Sequence, residues 1–269
     1  MLYNAQSGKL IKVHKCPYCL VYGQMSHWGK ENALDVVKYD EVKVPAGTGC
    51  GGENSYKCTS RLDINNYTGP LNIDIMSIIY GSLLGDAHAE RRKSGKGTRI
   101  SFYQEGSHSA YLLYLHNLVS SLGYSNTNIP KIQTRLKKNG DIRKIIRFHT
   151  WTYEKFNIIH DEWYDKNNKK IVSRSIYNYL TPLALGIWIM NDGVKVGSGL
   201  KLATNSFRYE DVLYLKDILY KKYNLKSEIQ KTGVKNEYHI YIWKEFIPDL
   251  VKIVNPYIIK SMKYKIAID

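Results

Sequence analysis

The sequence predicts an α+β protein in which one αββαββα unit is used twice, behind an N-terminal extension. Two observations carry that prediction. Two apolar runs end alike, "IYGSLLGDA" at 79–87 and "LGIWIMNDG" at 185–193. The segments that follow each run also match in the same order, with the apolar spacing switching between the helical period and period two.

Each unit opens on a helix. The first run follows "TGPLN" (68–72), a helix-start signal, and the second follows Thr181-Pro182, a cap and first-turn pair. Each run then reaches an aspartate between small or polar residues, as Gly85-Asp86-Ala87 and Asn191-Asp192-Gly193. Period-two stretches come next, "RISFYQ" (99–104) and "LKLATN" (200–205), and read as strands. Amphipathic helices are expected near 108–122 and 208–223, sharing a Leu-Tyr-Leu at 113–115 and 213–215. Gly123 and Asn224 are placed to stop them.

Two hairpin-like stretches follow, 131–151 and 227–243, each closing on a tryptophan, Trp151 and Trp243. Asn139-Gly140 marks the turn of the first. The units end on "WYDKNNKK" (163–170) and "PYIIKSMKYK" (256–265). Four matches in order imply a duplicated unit of about 100 residues. The expected organisation is an extension over 1–70, a first unit over 71–170 and a second over 171–269.

Composition narrows the partner. Lys and Arg number 39 against 24 Asp and Glu, a net charge of +15 that points to a polyanion, most often nucleic acid. No apolar stretch reaches the about 18 residues of a membrane span, and the N-terminus lacks the apolar core of a secretory signal. Abundant Lys, Asn, Ile and Tyr suggest AT-rich codons, such as those of an organelle genome. The cysteines Cys16, Cys19, Cys50 and Cys58 all fall in the first quarter, unlike a disulfide-stapled secreted chain. Cys16-Pro-Tyr-Cys19 has the spacing of a metal knuckle. Two readings are open for these four: a structural zinc site, or free cysteines.

The first hairpin carries an informative alternation. Ile132, Leu136, Ile146 and Phe148 fall on one face, while Gln133, Arg135, Lys137, Arg143 and Arg147 fall on the other, with Ile145 as the exception. A basic ribbon carrying an amide suits the DNA major groove, where Arg and Gln read base edges and Lys meets phosphate. The second hairpin offers Glu228, Gln230, Lys231, Lys235, His239 and Tyr241, and the strand before it adds Lys201. Loop 90–98, "ERRKSGKGT", offers further phosphate contacts or is simply solvated.

The glycines of the first run have a cost to offset, since glycine inside a helix is about 1 kcal/mol worse than alanine. Ser77, Gly81 and Gly85 are four apart and share one helical face. Such a stripe admits a second helix at short range, and the equivalent helix of the other unit is the natural partner. That packing brings Asp86 and Asp192 together at the helix ends, where the negative dipole disfavours carboxylates. A divalent cation between them relieves the repulsion and provides oxygen-rich coordination suited to Mg²⁺. Metal-assisted phosphodiester hydrolysis is the matching chemistry.

With these motifs the chain resembles the LAGLIDADG homing endonucleases in their single-chain, two-motif, organellar intron-encoded form. The phrases "YLTPLALGIWIMNDG", "NNKK", "NPYII" and "MKYK" add to the likeness, which covers about residues 70–269. The resemblance implies saddle-shaped antiparallel sheets on a long double-stranded DNA target, cleavage of both strands with short 3′ overhangs, and a monomer in an organelle such as the mitochondrion. It implies Mg²⁺, with Mn²⁺ able to substitute, held by Asp86 and Asp192 and by the carbonyls of Gly85 and Asn191. It also implies basic residues near the attacking waters, at Lys170 and Lys265; Lys169 is the alternative if the register slips by one. Some members are RNA-splicing maturases or binding-only proteins, so those alternatives stand beside nuclease activity. Ile187 and Trp188 depart from the small-residue pattern and predict an asymmetric helix pair.

Overall fold

The computed structural model describes residue 64 and residues 71–91, 95–136, 140 and 142–266, with two short strands before them, β1 (Leu2–Tyr3) and antiparallel β2 (Leu10–Ile11). The four cysteines, Lys137, Asn139 and residues 92–94 of the basic loop lie outside the described residues. Among the described residues, no helix is long and apolar enough to cross a membrane.

The first unit runs α1 (Ile73–Leu83), β3 (His88–Arg91), β4 (Thr98–Glu105), α2 (Ser109–Ser121), β5 (Gln133–Leu136), β6 (Ile142–His149) and α3 (Asn157–Trp163). A short helix, α4 (Ile176–Tyr179), lies on the connection. The second unit runs α5 (Pro182–Asp192), β7 (Gly193–Val196), β8 (Gly199–Ala203), α6 (Tyr209–Tyr223), β9 (Ser227–Lys231), β10 (Tyr238–Ile242) and α7 (Ile247–Val254). Both units are αββαββα. Their antiparallel sheets have the same order, β3-β4-β6-β5 and β7-β8-β10-β9.

Local chemistry sets the boundaries. The Asn72 side chain accepts from the N–H groups of Asp74 and Ile75 and starts α1. Thr181 accepts from Ala184 N–H, with Pro182 in the first turn of α5. Asn224 ends α6 in the left-handed region at φ 53°, and Gly123 follows α2 at φ 77°.

The two motif helices form the middle of the core. Residues 75–83 of α1 and 184–190 of α5 are all buried, so each helix is covered on every side. The small-residue stripe does face α5. A Cβ on Gly81 would lie 2.5 Å from the Ala184 carbonyl oxygen, and one on Gly85 would lie 2.6 Å from Asn191 Cβ. Close backbone approach is what offsets the helical cost of glycine. Gly186, by contrast, faces Tyr257 of its own unit. The pair is therefore asymmetric: α5 meets the stripe with Ala184 and Asn191.

One sheet face of each unit packs on helices. Ile100, Phe102, Ile146 and Phe148 take that face in the first unit, and Leu200, Leu202, Ile240 and Ile242 take it in the second. The other face carries the polar residues. Ile145 lies on that polar face yet is fully buried, apart from the main core.

Candidate active site

Asp86 stands in the turn between α1 and β3, and Asp192 is the last residue of α5. Because the helices pack in register, both ends arrive at one place. The Gln104 amide ties them together: its Nε2 donates to Asp86 Oδ2 at 2.6 Å and to Asn191 Oδ1 at 3.0 Å. Gln104 comes from β4, on the helix-side face with Ile100 and Phe102, at a slot that is otherwise apolar.

Both lysines reach this cluster through carbonyls at the helix ends. Lys170 Nζ donates to the carbonyls of Leu83 (3.0 Å), Gly85 (2.9 Å) and Ala87 (2.7 Å). Lys265 Nζ donates to the Asn191 carbonyl at 2.9 Å from a 3₁₀ turn, Lys260–Ile266. Lys169 is exposed on the neighbouring turn, so Lys170 is the residue placed at the cluster. Tyr111 of α2 lies beneath, fully buried, with its hydroxyl donating to the Ile187 carbonyl at 3.3 Å.

Burial draws the titrations of Asp192 and Lys170 toward neutral pH, against the attraction between opposite charges. Burial, and then the charge of Asp86, push the Asp192 carboxyl up to about 7 against the pull of Lys265 and Lys170. Burial brings Lys170 down to about 8, opposed by Asp192 and Asp86. Burial also lowers Lys265. An amine that titrates near neutral pH can move a proton.

The donor set fits a hard divalent cation. It consists of two carboxylates with the backbone carbonyls of Gly85 and Asn191, all oxygen. A carbonyl oxygen has two lone pairs, so an ammonium and a cation can share one. Among the described residues no three His, Cys, Asp or Glu side chains cluster, so such a cation would complete its shell with water and phosphate, as Mg²⁺ does.

The polar sheet faces carry the other residues singled out in the sequence. Gln133, Arg135 and Arg147 are exposed on the first. Arg143 shares that face but is held by Glu105, with Nε to Oε1 at 2.5 Å, and Glu90 likewise holds Arg99. The face is therefore less uniformly positive than the hairpin alone suggests. In the second unit Lys201 and Gln230 share the polar face, where Gln230 pairs with His239 at 3.0 Å. Lys231 does not join them. It pairs with Tyr238, and strand alternation turns it to the opposite face.

Two αββαββα units whose motif helices converge on paired aspartates define a LAGLIDADG protein. The LAGLIDADG DNA endonuclease family model matches residues 76–250, and the chain belongs to that family. It is 49% identical to the cytochrome b mRNA maturase bI2 of Saccharomyces cerevisiae over 93% of this chain and 68% of that one. It is 55% identical to the bI2 maturase of Debaryomyces hansenii over 78% and 80% of the two chains. Among solved structures, the homing endonuclease I-WcaI bound to its DNA recognition sequence superposes with a TM-score of 0.67 at 27% identity, covering 77% of this chain and 92% of that one.

Proposed function

We propose that the chain is a site-specific, metal-dependent DNA endonuclease that hydrolyses both strands of a long target as a monomer, leaving short 3′ overhangs. The observation that carries this is the convergence of both aspartates and both lysines on one cluster bridged by Gln104. Asp86 and Asp192, with the Gly85 and Asn191 carbonyls, are the residues that would hold Mg²⁺ or Mn²⁺. When bound, such a cation polarises the phosphate, favours hydroxide at the attacking water and stabilises the leaving oxygen. Gln104 fixes the Asp86 carboxylate by donating to Oδ2. Lys170 and Lys265 place positive charge beside the reacting phosphates, and Lys170 sits in a range where it can exchange a proton with water. Gln133, Arg135, Arg147, Lys201 and Gln230, exposed or half-buried on the polar sheet faces, are the side chains proposed to face the duplex; the similar I-WcaI structure is itself bound to its DNA recognition sequence.

RNA splicing is the second reading, favoured by the names of two relatives, both cytochrome b mRNA maturases. That transcript also supports an organellar setting. The test is selection of cleaved duplexes from a random-site library in Mg²⁺, with end sequencing. The expected result is one family of long sites, cut in Mg²⁺ and intact in EDTA, with Asp192→Asn binding but not cutting. No cleavage by the wild-type chain, or equal cleavage by Asp192→Asn, overturns the endonuclease. Cleavage-free rescue of splicing for a cytochrome b intron would establish the second reading instead.

A further inference from the structure

Lys170 projects from the connection between the units, and that connection is gripped by the unit to which its ammonium does not point. We propose that Arg208 and Asp165 are positioning residues, through which the second unit sets the Lys170 ammonium on the carbonyls beside Asp86. The proposal rests on the role given to Lys170 above.

The connection leaves α3 at Trp163 and closes at once into a turn. Asp165 Oδ1 accepts from the N–H groups of Asn167 (2.9 Å) and Lys169 (3.0 Å), and Asp165 N–H donates to the Lys169 carbonyl at 2.9 Å. Asn168 supplies the left-handed residue, φ 59°. Tyr164 pairs across the turn with Lys170, and Ile171 N–H donates to the Trp163 carbonyl at 2.8 Å. The backbone of Lys170 is thus defined by a turn that Asp165 holds shut.

The other oxygen of Asp165 belongs to the second unit. Oδ2 accepts from an Arg208 terminal N–H at 2.5 Å, and Arg208 is the residue that precedes α6. Past Lys170 the same helix takes hold again. Asp211, in the first turn of α6, accepts from Val172 N–H at 3.4 Å and from Arg174 at 3.5 Å. Tyr214 then donates to the Arg174 carbonyl at 2.7 Å. The start of α6 therefore grips the chain on both sides of Lys170.

The first unit fastens the same segment by a different knot. Glu162 Oε2 accepts from the hydroxyls of Tyr80 (2.8 Å), Ser173 (2.8 Å) and Ser175 (2.5 Å). The segment that carries Lys265 has a slighter grip from the opposite unit, Tyr114 donating to the Tyr257 carbonyl at 3.2 Å, and Lys265 itself reaches Asn191 within its own unit. Among the described residues, the turn clamped by a carboxylate and an ion pair from the opposite unit is the one that carries Lys170.

The test uses the full chain and two substitutions, Arg208→Ala and Arg208→Lys. An exposed ion pair contributes little to stability, so both variants are expected to melt close to wild type. Brief acetylation with acetic anhydride, followed by peptide mass spectrometry, reports how freely each lysine is presented. Lys170 is expected to label several-fold faster in Arg208→Ala and to return toward the wild-type rate in Arg208→Lys, with Lys265 unchanged in both. Single-turnover cleavage is expected to fall about tenfold in Arg208→Ala, with the Kd for target DNA unchanged, a loss typical of misplaced supporting groups. Unchanged Lys170 labelling overturns the proposal. So does a rise in Kd with the single-turnover rate intact, which would make Arg208 a DNA contact. A wild-type chain that cuts no DNA, yet shows the labelling response, refutes the endonuclease and leaves the positioning role standing.

Discussion

Replacing Gly81 by alanine asks two opposed effects to compete. In a free helix the change is stabilising by about 1 kcal/mol, because alanine is the better helix former. Here the new Cβ would lie 2.5 Å from the Ala184 carbonyl oxygen, 2.9 Å from its Cα and 3.0 Å from its carbonyl carbon. All three atoms are backbone, in a helix buried on every side, so no side chain can swing away. The helices must separate by several tenths of an ångström, and overpacking of this kind costs about 1–3 kcal/mol. Taking 3 kcal/mol as the cost of a contact this short and subtracting the propensity gain leaves about 2 kcal/mol of net destabilisation. Gly186→Ala is the control. Its Cβ would lie 3.2 Å from Tyr257 Cβ, a milder contact than at Gly81 although that atom moves only with its backbone, so about 1 kcal/mol of overpacking offsets the propensity gain and the expected change is near zero. Urea unfolding of the three chains followed by circular dichroism reads both values. Stabilisation of Gly81→Ala by the free-helix amount would refute the claim that backbone approach to α5 is why glycine is there.

Other expectations follow from the same geometry. Asp192 has a folded pKa raised from 3.8 to about 7, so ionising it opposes folding. The Asp192 contribution to stability therefore falls as pH rises from about 4 to about 7 and stays at its lower level above that, and Asp192→Asn lacks this contribution. A shift of about three units sets a ceiling near 4 kcal/mol, and the loss of an opposite charge beside Lys170 and Lys265 offsets roughly half of it. Metal-free Asp192→Asn is thus expected to melt about 4–8 °C above wild type at pH 8 and equally at pH 4, by calorimetry; a variant less stable at pH 8 contradicts the electrostatics. Arg135→Ala and Arg147→Ala should each weaken binding to the selected duplex by about 1–3 kcal/mol if they read bases. Arg143→Ala should cost less, because Glu105 already holds Arg143; fluorescence anisotropy ranking Arg143 above both others would reverse this assignment.

Much of the fold was legible because it is written in local periods. The helix starts at Asn72 and Thr181, the stops at Gly123 and Asn224, and the faces of the first hairpin all follow from short-range spacing. The glycine stripe also pointed at its partner helix, although Ala184 and Asn191 do the meeting and Gly186 does not. What stayed hidden depends on register or on distant partners. Glu105 and Glu90 neutralise arginines that look free in the sequence, because strand pairing brings them alongside. Lys231 is turned away from the polar face by the parity of a single step along β9. The knot of Tyr80, Glu162, Ser173 and Ser175 joins segments far apart in the chain, so no local pattern announces it. Gln104 did leave a signal: an amide in the third apolar slot of a strand, after Ile100 and Phe102.

The most direct measurement is a crystal structure of the full chain on its selected duplex with Ca²⁺ in place of Mg²⁺, so that the strands stay intact. Cation density is expected within about 2.3–2.6 Å of the Asp86 and Asp192 carboxylates and of the two scissile phosphates. Aspartates lying apart on the bound duplex, or cations seated elsewhere with both carboxylates facing only water, would contradict the shared centre on which the endonuclease depends.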